Sequence, residues 1–242
     1  MQKALTTIFL MIFFTGYSSA QVKGGKFEKL YQQFEKKEYE DCLYRAENLT
    51  LKEKTKNEPE PYLYMSMCFH ELARIPEQQE YYKNAFSYAL KQAAKCMKKD
   101  KDSSYFNNNK DYYIKLEKWG VEKAREYYDL EKFSKAASTY KEILKIFQDD
   151  ENIRFMKGVC DLLAKNTSEG ILNINEAMKN INSNYKTDPV SEHLLIDGLI
   201  IYSDYLIQNE LPDSAKTMIS IAKNLFPENE DIINQRKKLN SE

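Results

Sequence analysis

Two stretches of the chain repeat one pattern of small and large side chains. They read VEKAREYYDLEKFSKAASTYKEIL at positions 121–144 and FMKGVCDLLAKNTSEGILNINEAM at positions 155–178, so each residue has its counterpart 34 positions later. The aligned pairs are Ala124 with Gly158, Ala136 with Gly170, Tyr140 with Ile174 and Ile143 with Ala177. Small residues at this spacing let two antiparallel helices approach closely, while larger ones fill the gaps around them. The pattern therefore predicts a repeated helix pair.

The same internal spacing recurs on both sides of this central region. It is found again at Ser203, Ala215 and Ala222, where Pro227 predicts the end of the helix. Two earlier sets fit less closely, namely Leu30 with Cys42 and Leu49, and Ser66 with Gln78 and Ala85. A helix pair of this kind cannot bury its apolar face alone and has to stack on its neighbours. The chain is therefore predicted to form a stack of helix pairs.

The composition agrees with an all-α chain. Only 7 Gly and 6 Pro occur in 242 residues, too few for the many turns of a β-sandwich, whereas helix-favouring Lys, Glu, Leu and Ala are abundant. The shares of hydrophobic and charged residues, 42% and 30%, argue against a disordered chain and against a polytopic membrane protein. The 36 basic and 37 acidic side chains nearly balance, so no global charge attracts nucleic acid or an acidic membrane.

The period and the small/large pattern resemble the tetratricopeptide repeat family. The resemblance implies an α-solenoid of about five helix pairs plus a C-terminal capping helix, wound into a right-handed superhelix over residues 21–242. The corresponding units are 23–56, 59–92, 117–150, 151–184 and 196–229, with the capping helix at 230–242. The sequence departs from the family pattern because it lacks the Trp and Tyr usual in first helices and, except at Pro227, the closing Pro.

Proline and polar runs predict where several elements begin and end. Pro59 and Pro61 suit the first turn of a helix that runs through Ala73, and Pro76 is expected to start the next helix. The polar run at 98–109 is expected to be a loop.

The first 20 residues have the pattern of a secretory signal peptide. Lys3 supplies the positive charge, Ala4 to Phe14 an apolar run, and Ser18 to Ala20 a small-residue cleavage site. A membrane anchor is the competing interpretation, but the apolar run is shorter than the ~20 residues that span a bilayer. Richness in Asn, Lys, Tyr and Ile resembles exported proteins of the Bacteroidetes. We therefore expect a protein of the bacterial periplasm, soluble or peripherally attached to an envelope complex.

Few residues suit catalysis. The chain has two histidines, His70 and His193, without the spacing of a metalloprotease helix, and neither a nucleophile motif nor a phosphate-binding loop is found. His70 is expected to be a groove or surface residue, and His193 a solvated helix end. The lysines between Lys91 and Lys101 are interpreted as a solvated helix C-terminus rather than a nucleic-acid site. We expect no enzyme activity, cofactor, metal or small-molecule substrate.

The resemblance also implies a binding surface, because first helices of the family line a concave groove that holds a peptide or helix. The corresponding residues are Phe27, Tyr31, Phe34, Leu63, Met67, His70, Val121, Arg125, Tyr128, Phe155, Val159 and Leu162, followed by Ile200, Asp204 and Ile207. Among groups that could clamp a terminal carboxylate, only Arg125 and Asn152 are found, so apolar and aromatic anchors are expected, led by Phe27, Tyr31, Phe155 and Leu162. The alternative is a groove filled by the chain itself.

The four cysteines, Cys42, Cys68, Cys96 and Cys160, show no CxxC pair and no metal-ligand spacing. Buried packing residues are the favoured interpretation. Export would also permit a disulfide, and the resemblance places Cys42 and Cys68 on neighbouring helices, which makes them the candidate pair.

These observations predict a non-catalytic scaffold or adaptor of the cell envelope. It would bind a partner protein through the groove, within a secretion, motility or assembly complex. The alternative is a soluble periplasmic chaperone or carrier that holds unfolded or lipidated clients. Neither nucleic acid nor a membrane span is expected, while peripheral membrane association stays open.

Overall fold

The computed structural model describes residues 26–182 and 184–241. The regular elements in these ranges are helices, which confirms the predicted all-α class. In chain order they are α1 Glu28–Glu35, α2 Tyr39–Leu51, α3 Pro59–Leu72, α4 Ala85–Lys99, α5 Ser104–Asn108, α6 Lys110–Asp129, α7 Phe133–Ile143, α8 Glu151–Leu163, α9 Thr167–Asn180, α10 Glu192–Gln208, α11 Pro212–Leu225 and α12 Glu230–Ser241. The predicted signal peptide lies outside the described residues.

Four connections between helices share one backbone geometry. Each contains a residue with positive φ, and these residues are Lys37, Glu131, Lys165 and Glu210. In each connection the next residue donates its N–H to the carbonyl oxygen five positions back, over 2.9, 2.8, 2.8 and 2.9 Å in chain order. This left-handed ending satisfies carbonyl groups at the helix C-terminus and turns the chain back sharply. The connections after α1, α6, α8 and α10 therefore reverse the chain in the same way.

The connection between α3 and α4 is different, and the predicted helix start at Pro76 is wrong. A single 3-10 turn forms at Pro76–Gln78, and α4 begins only at Ala85. No residue from 76 to 84 is buried, whereas Ala85 is. Because helices in proteins are stabilised mainly by packing of an apolar face, this stretch has little to hold it helical.

The polar run at 98–109 also differs from the expected loop. α4 continues to Lys99, and the short helix α5 follows. The Asp100 carboxylate accepts a hydrogen bond from the Phe106 backbone N–H at 2.8 Å, and the Phe106 ring lies 4.8 Å from that of Tyr113. One capping carboxylate and one anchored aromatic ring thus organise a segment whose composition is that of a loop.

The small residues of the repeat lie where helices touch. Ala124 and Ala136 are fully buried. A Cβ added at Gly158 would lie 2.7 Å from Ile174 Cγ1 and 2.9 Å from the Gly170 carbonyl oxygen. Only glycine permits α8 and α9 to approach this closely.

Consecutive helices pack on each other from α1 to α4, from α6 to α9 and from α10 to α12. Two joints connect these three runs. At the first, which we call the N-terminal joint, α5 and the first half of α6 lie against α3 and α4. At the second, which we call the C-terminal joint, α10 packs chiefly on α8. The predicted unit limits and the superhelix hand stay predictions.

Candidate binding groove

An open groove lies between α6, α10 and α12. Its first part is a cavity of about 730 Å³ between α6 and the start of α10, lined by side chains that include Val121, Glu122, Val190 and His193. Its second part has about 500 Å³ and lies between α6, α10 and α12. The lining there is formed by Arg125, Tyr128, Asp197, Ile200, Ile201, Asp231, Asn234, Gln235 and Lys238. Apolar walls thus alternate with charged groups along the groove.

Arg125 separates the two parts of the groove. Its guanidinium donates to Asp129 on its own helix over 2.9 Å and to Asp197 of α10 across the opening. Burial lowers the pKa of Arg125, but the hydrogen bond and charge of Asp197 and those of Asp129 outweigh it and leave the pKa raised. Because these two carboxylates offset its positive charge, Arg125 attracts a peptide carboxylate less strongly than an unpaired guanidinium would.

α12 closes one end of the groove. Gln235 Nε2 donates to Ser203 Oγ at 2.9 Å and to Asp204 Oδ1 at 2.8 Å, and Lys238 Nζ lies 2.9 Å from the same Asp204 oxygen. Ile232 and Leu239 are buried. α12 is therefore held to α10 by polar contacts, while its buried apolar side chains belong to the core.

The inner face of α3 is filled by the chain itself, so the expectation that His70 is a groove or surface residue is wrong. The His70 ring is 3% exposed and stands edge-on to Tyr112 and Trp119, with ring centres 5.6 and 5.2 Å away. Burial lowers its pKa, although the hydrogen bond to Glu71 opposes this. The covering Tyr112 lies in the segment inserted between the predicted units 59–92 and 117–150, at residues 93–116, and therefore belongs to no repeat unit.

A chain of hydrogen bonds holds Tyr112 in place on the inner face of α3. Ser66 Oγ donates to the Ala89 carbonyl oxygen at 2.6 Å, so the Tyr112 hydroxyl, 2.6 Å from Ser66 Oγ, is the donor to Ser66. Three helices, α3, α4 and α6, are thereby tied together. The predicted groove residues Leu63 and Met67 are buried as well.

The predicted groove residues of α8 are also buried, which removes them as accessible anchors. Phe155 is fully buried, with its ring 6.0 Å from that of Tyr202 on α10. A Cβ at Gly198 would lie only 2.9 Å from Phe155 Cδ1, so glycine lets α10 cover this ring. Val159 and Leu162 are buried too, and Leu162 fills the space beside Gly170.

The remaining predicted positions are spread over two regions. On α1, Phe34 is buried, while Phe27 and Tyr31 are half-buried and pack against the core. Val121, Arg125 and Tyr128 do line the groove, together with Ile200 of α10. Asn152 is buried, where it binds Ser191 and Tyr185 rather than facing the groove.

The sequence did not indicate the wall formed by the segment before α10 together with the first turn of α10. Pro189, Val190 and His193 line the first cavity. They lie between two repeat units, so an alignment of repeats leaves them out. The sequence signal that could have indicated this wall is the segment inserted between the predicted units 151–184 and 196–229, because inserted residues have to pack against the stack.

All four cysteines are free thiols and buried. Cys42 Sγ donates to the Leu30 carbonyl oxygen at 3.5 Å. Burial, followed by the hydrogen bond with Cys42, raises the pKa of Cys68. The two thiols are thus neighbours and buried, and the candidate disulfide between them is not formed.

An acid pair, with Glu117 buried and Asp150 half-buried, lies beside the C-terminal joint. Glu117 of α6 is hydrogen-bonded to Asp150, whose carboxylate also caps α8 through the Ile153 N–H at 3.0 Å and accepts from Ser191 Oγ at 2.7 Å. Burial, then the charges of Asp150 and Asp188, raise the pKa of Glu117 to about 8. Burial and the repulsion between the two carboxylates thus favour the protonated form of Glu117.

In the part of the chain that the structure describes, no group of three or more His, Cys, Asp or Glu side chains is arranged to hold a metal ion. The helices in these same ranges include none whose length and hydropathy would let it cross a bilayer.

Neither a protein-family model nor a curated protein matches the chain. Among solved structures, the chain is similar to the TPR2AB-domain:pHSP90-complex of yeast Sti1, with 16% sequence identity and a TM-score of 0.36. This similarity covers 88% of the present chain and 83% of the yeast chain. The assignment of stacked helix pairs rests on the packing described above.

Proposed function

We propose that this protein is a non-catalytic binding module that holds a segment of a partner protein in the groove between α6, α10 and α12. The groove itself is the observation that carries the proposal. It is open along two cavities of about 730 and 500 Å³ and is walled by Val121, Tyr128 and Ile200. Apolar walls with a charged rim suit a peptide or helix that inserts apolar side chains.

We also propose a cellular location and a role for this binding module. Residues 1–20 have the pattern of a signal peptide, so we propose a scaffold or adaptor of the bacterial envelope, within a secretion, motility or assembly complex. The second candidate is a chaperone or carrier for unfolded or lipidated clients. It is favoured by the mixed lining of the groove, which would accept varied segments.

Site-specific crosslinking tests the groove. A photoreactive phenylalanine analogue replaces Tyr128 in the groove or, as the matched control, Tyr44, which is 71% exposed on α2. We expect one discrete crosslinked product from position 128 in native extract and none of the same mass from position 44. A broad set of products from position 128 alone would favour the chaperone.

A pair of charge substitutions completes the test. Ile200→Asp places a carboxylate in the groove wall, whereas Ile171→Asp makes the same change at a solvent-exposed site on α9. We expect only the first to abolish the crosslink from position 128, with both variants folded by circular dichroism. Equal crosslinking in the two variants would refute the groove as the binding site.

A further inference from the structure

One edge of the helix stack carries a dense group of lysines, which we call the lysine edge. It combines the connection between α2 and α3 with the end of α4 and the residues that follow it. Its members are Lys52, Lys54, Lys56, Lys91, Lys95, Lys98, Lys99 and Lys101. The side chains of Lys91, Lys95 and Lys98 are exposed on α4, at spacings of four and three residues, so they form a stripe along one helix face.

Specific contacts join the two segments into one surface. Lys99 Nζ donates to Asn57 Oδ1 at 3.0 Å. The Nζ atoms of Lys95 and Lys99 lie 5.7 and 5.1 Å from the centre of the Tyr62 ring, whose hydroxyl donates to the Lys56 carbonyl oxygen at 2.8 Å. Lys56, Lys95 and Lys99 therefore lie at one surface, and the exposed side chains of Lys91 and Lys98 extend it along α4.

Most of the positive charge of this patch has no ion-pair partner within the described residues. Lys56 forms an ion pair with Glu53 at 2.7 Å, and no ion pair in these ranges involves any of the other seven lysines. The nearby Asp100 is buried and accepts from the Phe106 N–H. Asp102, beside Lys101, is exposed and accepts from the Ser104 N–H at 3.1 Å, so it offsets one of the eight positive charges. Stabilisation of the helix dipole covers only the last turn of α4, which leaves Lys91 and Lys95 unexplained.

An apolar side chain lies at the same edge. Leu51, the last residue of α2, is 79% exposed and directly precedes Lys52. A single exposed leucine is ordinary on a protein surface, but one beside seven lysines that form no ion pair has the chemistry of an interfacial membrane contact. Lysines attract the anionic headgroups, and the leucine enters the boundary of the acyl chains.

Other polyanions fit this surface less well. Proteins that bind single-stranded nucleic acid combine charge with exposed aromatic platforms, whereas the aromatic ring at the centre of this patch, Tyr62, is buried under Lys95 and Lys99. Recognition of protein carboxylates favours the planar fork of arginine, and the lysine edge contains no arginine.

We propose that the lysine edge is a peripheral binding surface for an anionic lipid bilayer. The lysines lie in the headgroup layer and Leu51 inserts below it. This surface is distinct from the groove between α6, α10 and α12, so the proposal does not depend on the proposed function. The charge is local, which is why the near-neutral chain as a whole does not reveal it.

Vesicle co-sedimentation of the full chain tests this proposal. The vesicles are phosphatidylcholine alone or phosphatidylcholine with about 30 mol% phosphatidylglycerol, in about 0.1 M salt. We expect binding to the anionic vesicles only, lost at about 0.5 M salt. Replacing Lys91, Lys98 and Lys101 by Gln should weaken that binding about 100-fold, at about fivefold for each charge.

The matched control removes the same charge elsewhere. Lys179→Gln, Lys216→Gln and Lys237→Gln change exposed lysines outside the lysine edge and should leave vesicle binding nearly unchanged. Both triple variants keep the apolar run at 4–14, so any contribution of that run to vesicle binding is the same in each. Equal binding by the two variants would overturn the proposal.

Two further measurements sharpen the outcome. Leu51→Ser should weaken binding to anionic vesicles about tenfold, while Leu211→Ser, at an exposed leucine near the other end of the chain, should not. If the wild-type chain instead binds a single-stranded oligonucleotide with the same lysine dependence and ignores vesicles, the patch serves nucleic acid and the lipid proposal is wrong.

Discussion

The N-terminal and C-terminal joints differ in whether the neighbouring helix surface is covered or left open. In each, residues inserted between helix pairs interrupt the regular stack. At the N-terminal joint the insertion places Tyr112 on the inner face of α3, where Tyr112 and Trp119 enclose His70. At the C-terminal joint Gly198 lets α10 cover Phe155, and an open groove remains between α10 and α6. The same kind of interruption thus gives a filled face in one case and an accessible one in the other.

The difference depends on which residues the insertions contribute. The first supplies large aromatic side chains that bury apolar area, each stabilising the joint by a few kcal/mol. The second supplies the segment that ends at Ser191, whose hydroxyl donates to Asp150 and accepts from Asn152. Hydrogen bonds hold this segment at Ser191, and the segment leaves the surface between α6 and α10 uncovered.

The largest effect is expected from Phe155→Ala at the C-terminal joint. Because the ring is fully buried between α8 and α10, its loss should lower the free energy of unfolding by about 4 kcal/mol. Chemical denaturation followed by circular dichroism measures this. Unchanged stability together with loss of a partner would instead restore Phe155 as a binding anchor.

Trp119→Ala should weaken the N-terminal joint by a smaller amount, about 2 kcal/mol, since this side chain is only partly buried. It contacts His70 and Phe86 and lies under the Arg74 guanidinium at 5.1 Å. Circular dichroism is the appropriate probe because this variant removes the single Trp of the chain, and with it the tryptophan fluorescence that would otherwise report unfolding. A loss as large as that of Phe155→Ala would mean that the N-terminal joint is stabilised as strongly as the C-terminal joint.

Glu117→Gln should remove a pH dependence at the C-terminal joint. The folded-state pKa of Glu117, about 8, lies above its unfolded value, so the folded state holds an extra proton between these two pKa values. Wild-type stability should therefore fall as pH rises through this window, by about 1 kcal/mol per unit at the steepest. Glutamine stays neutral and still donates to Asp150.

The measurement is the difference in unfolding free energy between variant and wild type from pH 6 to pH 9. It should grow in favour of Glu117→Gln with rising pH. Groups common to both chains, such as buried His70 and the thiols, cancel in this difference. Parallel curves would show that Glu117 is ionised in the folded protein.

The smallest effect is expected from Asp197→Asn, which removes the ion pair across the groove. The Arg125 and Asp197 side chains are 42% and 34% exposed, so solvent screens their attraction and the loss should stay under about 1 kcal/mol. Thermal unfolding at low and high salt measures it. A loss above about 2 kcal/mol would place this bridge among the structural contacts of the joint.

Much of the fold could be predicted because its determinants are local and repeated. Ala124, Ala136, Tyr140 and Ile143 are all fully buried, as their recurrence implies. Helix ends were less predictable where burial overrode local signals. Pro76 did not start a long helix because the residues after it bury nothing, and Asp100 capped a helix within a polar run.

The candidate site was predictable only in part. Val121, Arg125 and Tyr128, three of the predicted groove residues, line cavities along α6, and their part in binding stays a prediction. Phe155 and His70 were predicted from the same repeat alignment and yet are buried. Their accessibility depends on side chains far away in sequence, which no periodic pattern contains.

The sequence by itself determined that this chain forms stacked helix pairs, since small residues at fixed spacing permit close helix contact wherever they recur. Only the tertiary structure decided which inner faces are covered and which stay open. That outcome depends on where the inserted residues pack, as with Tyr112 against Ser66, and on one glycine at 198. Burial is a property of non-local contacts, so it emerges only when the helices are assembled.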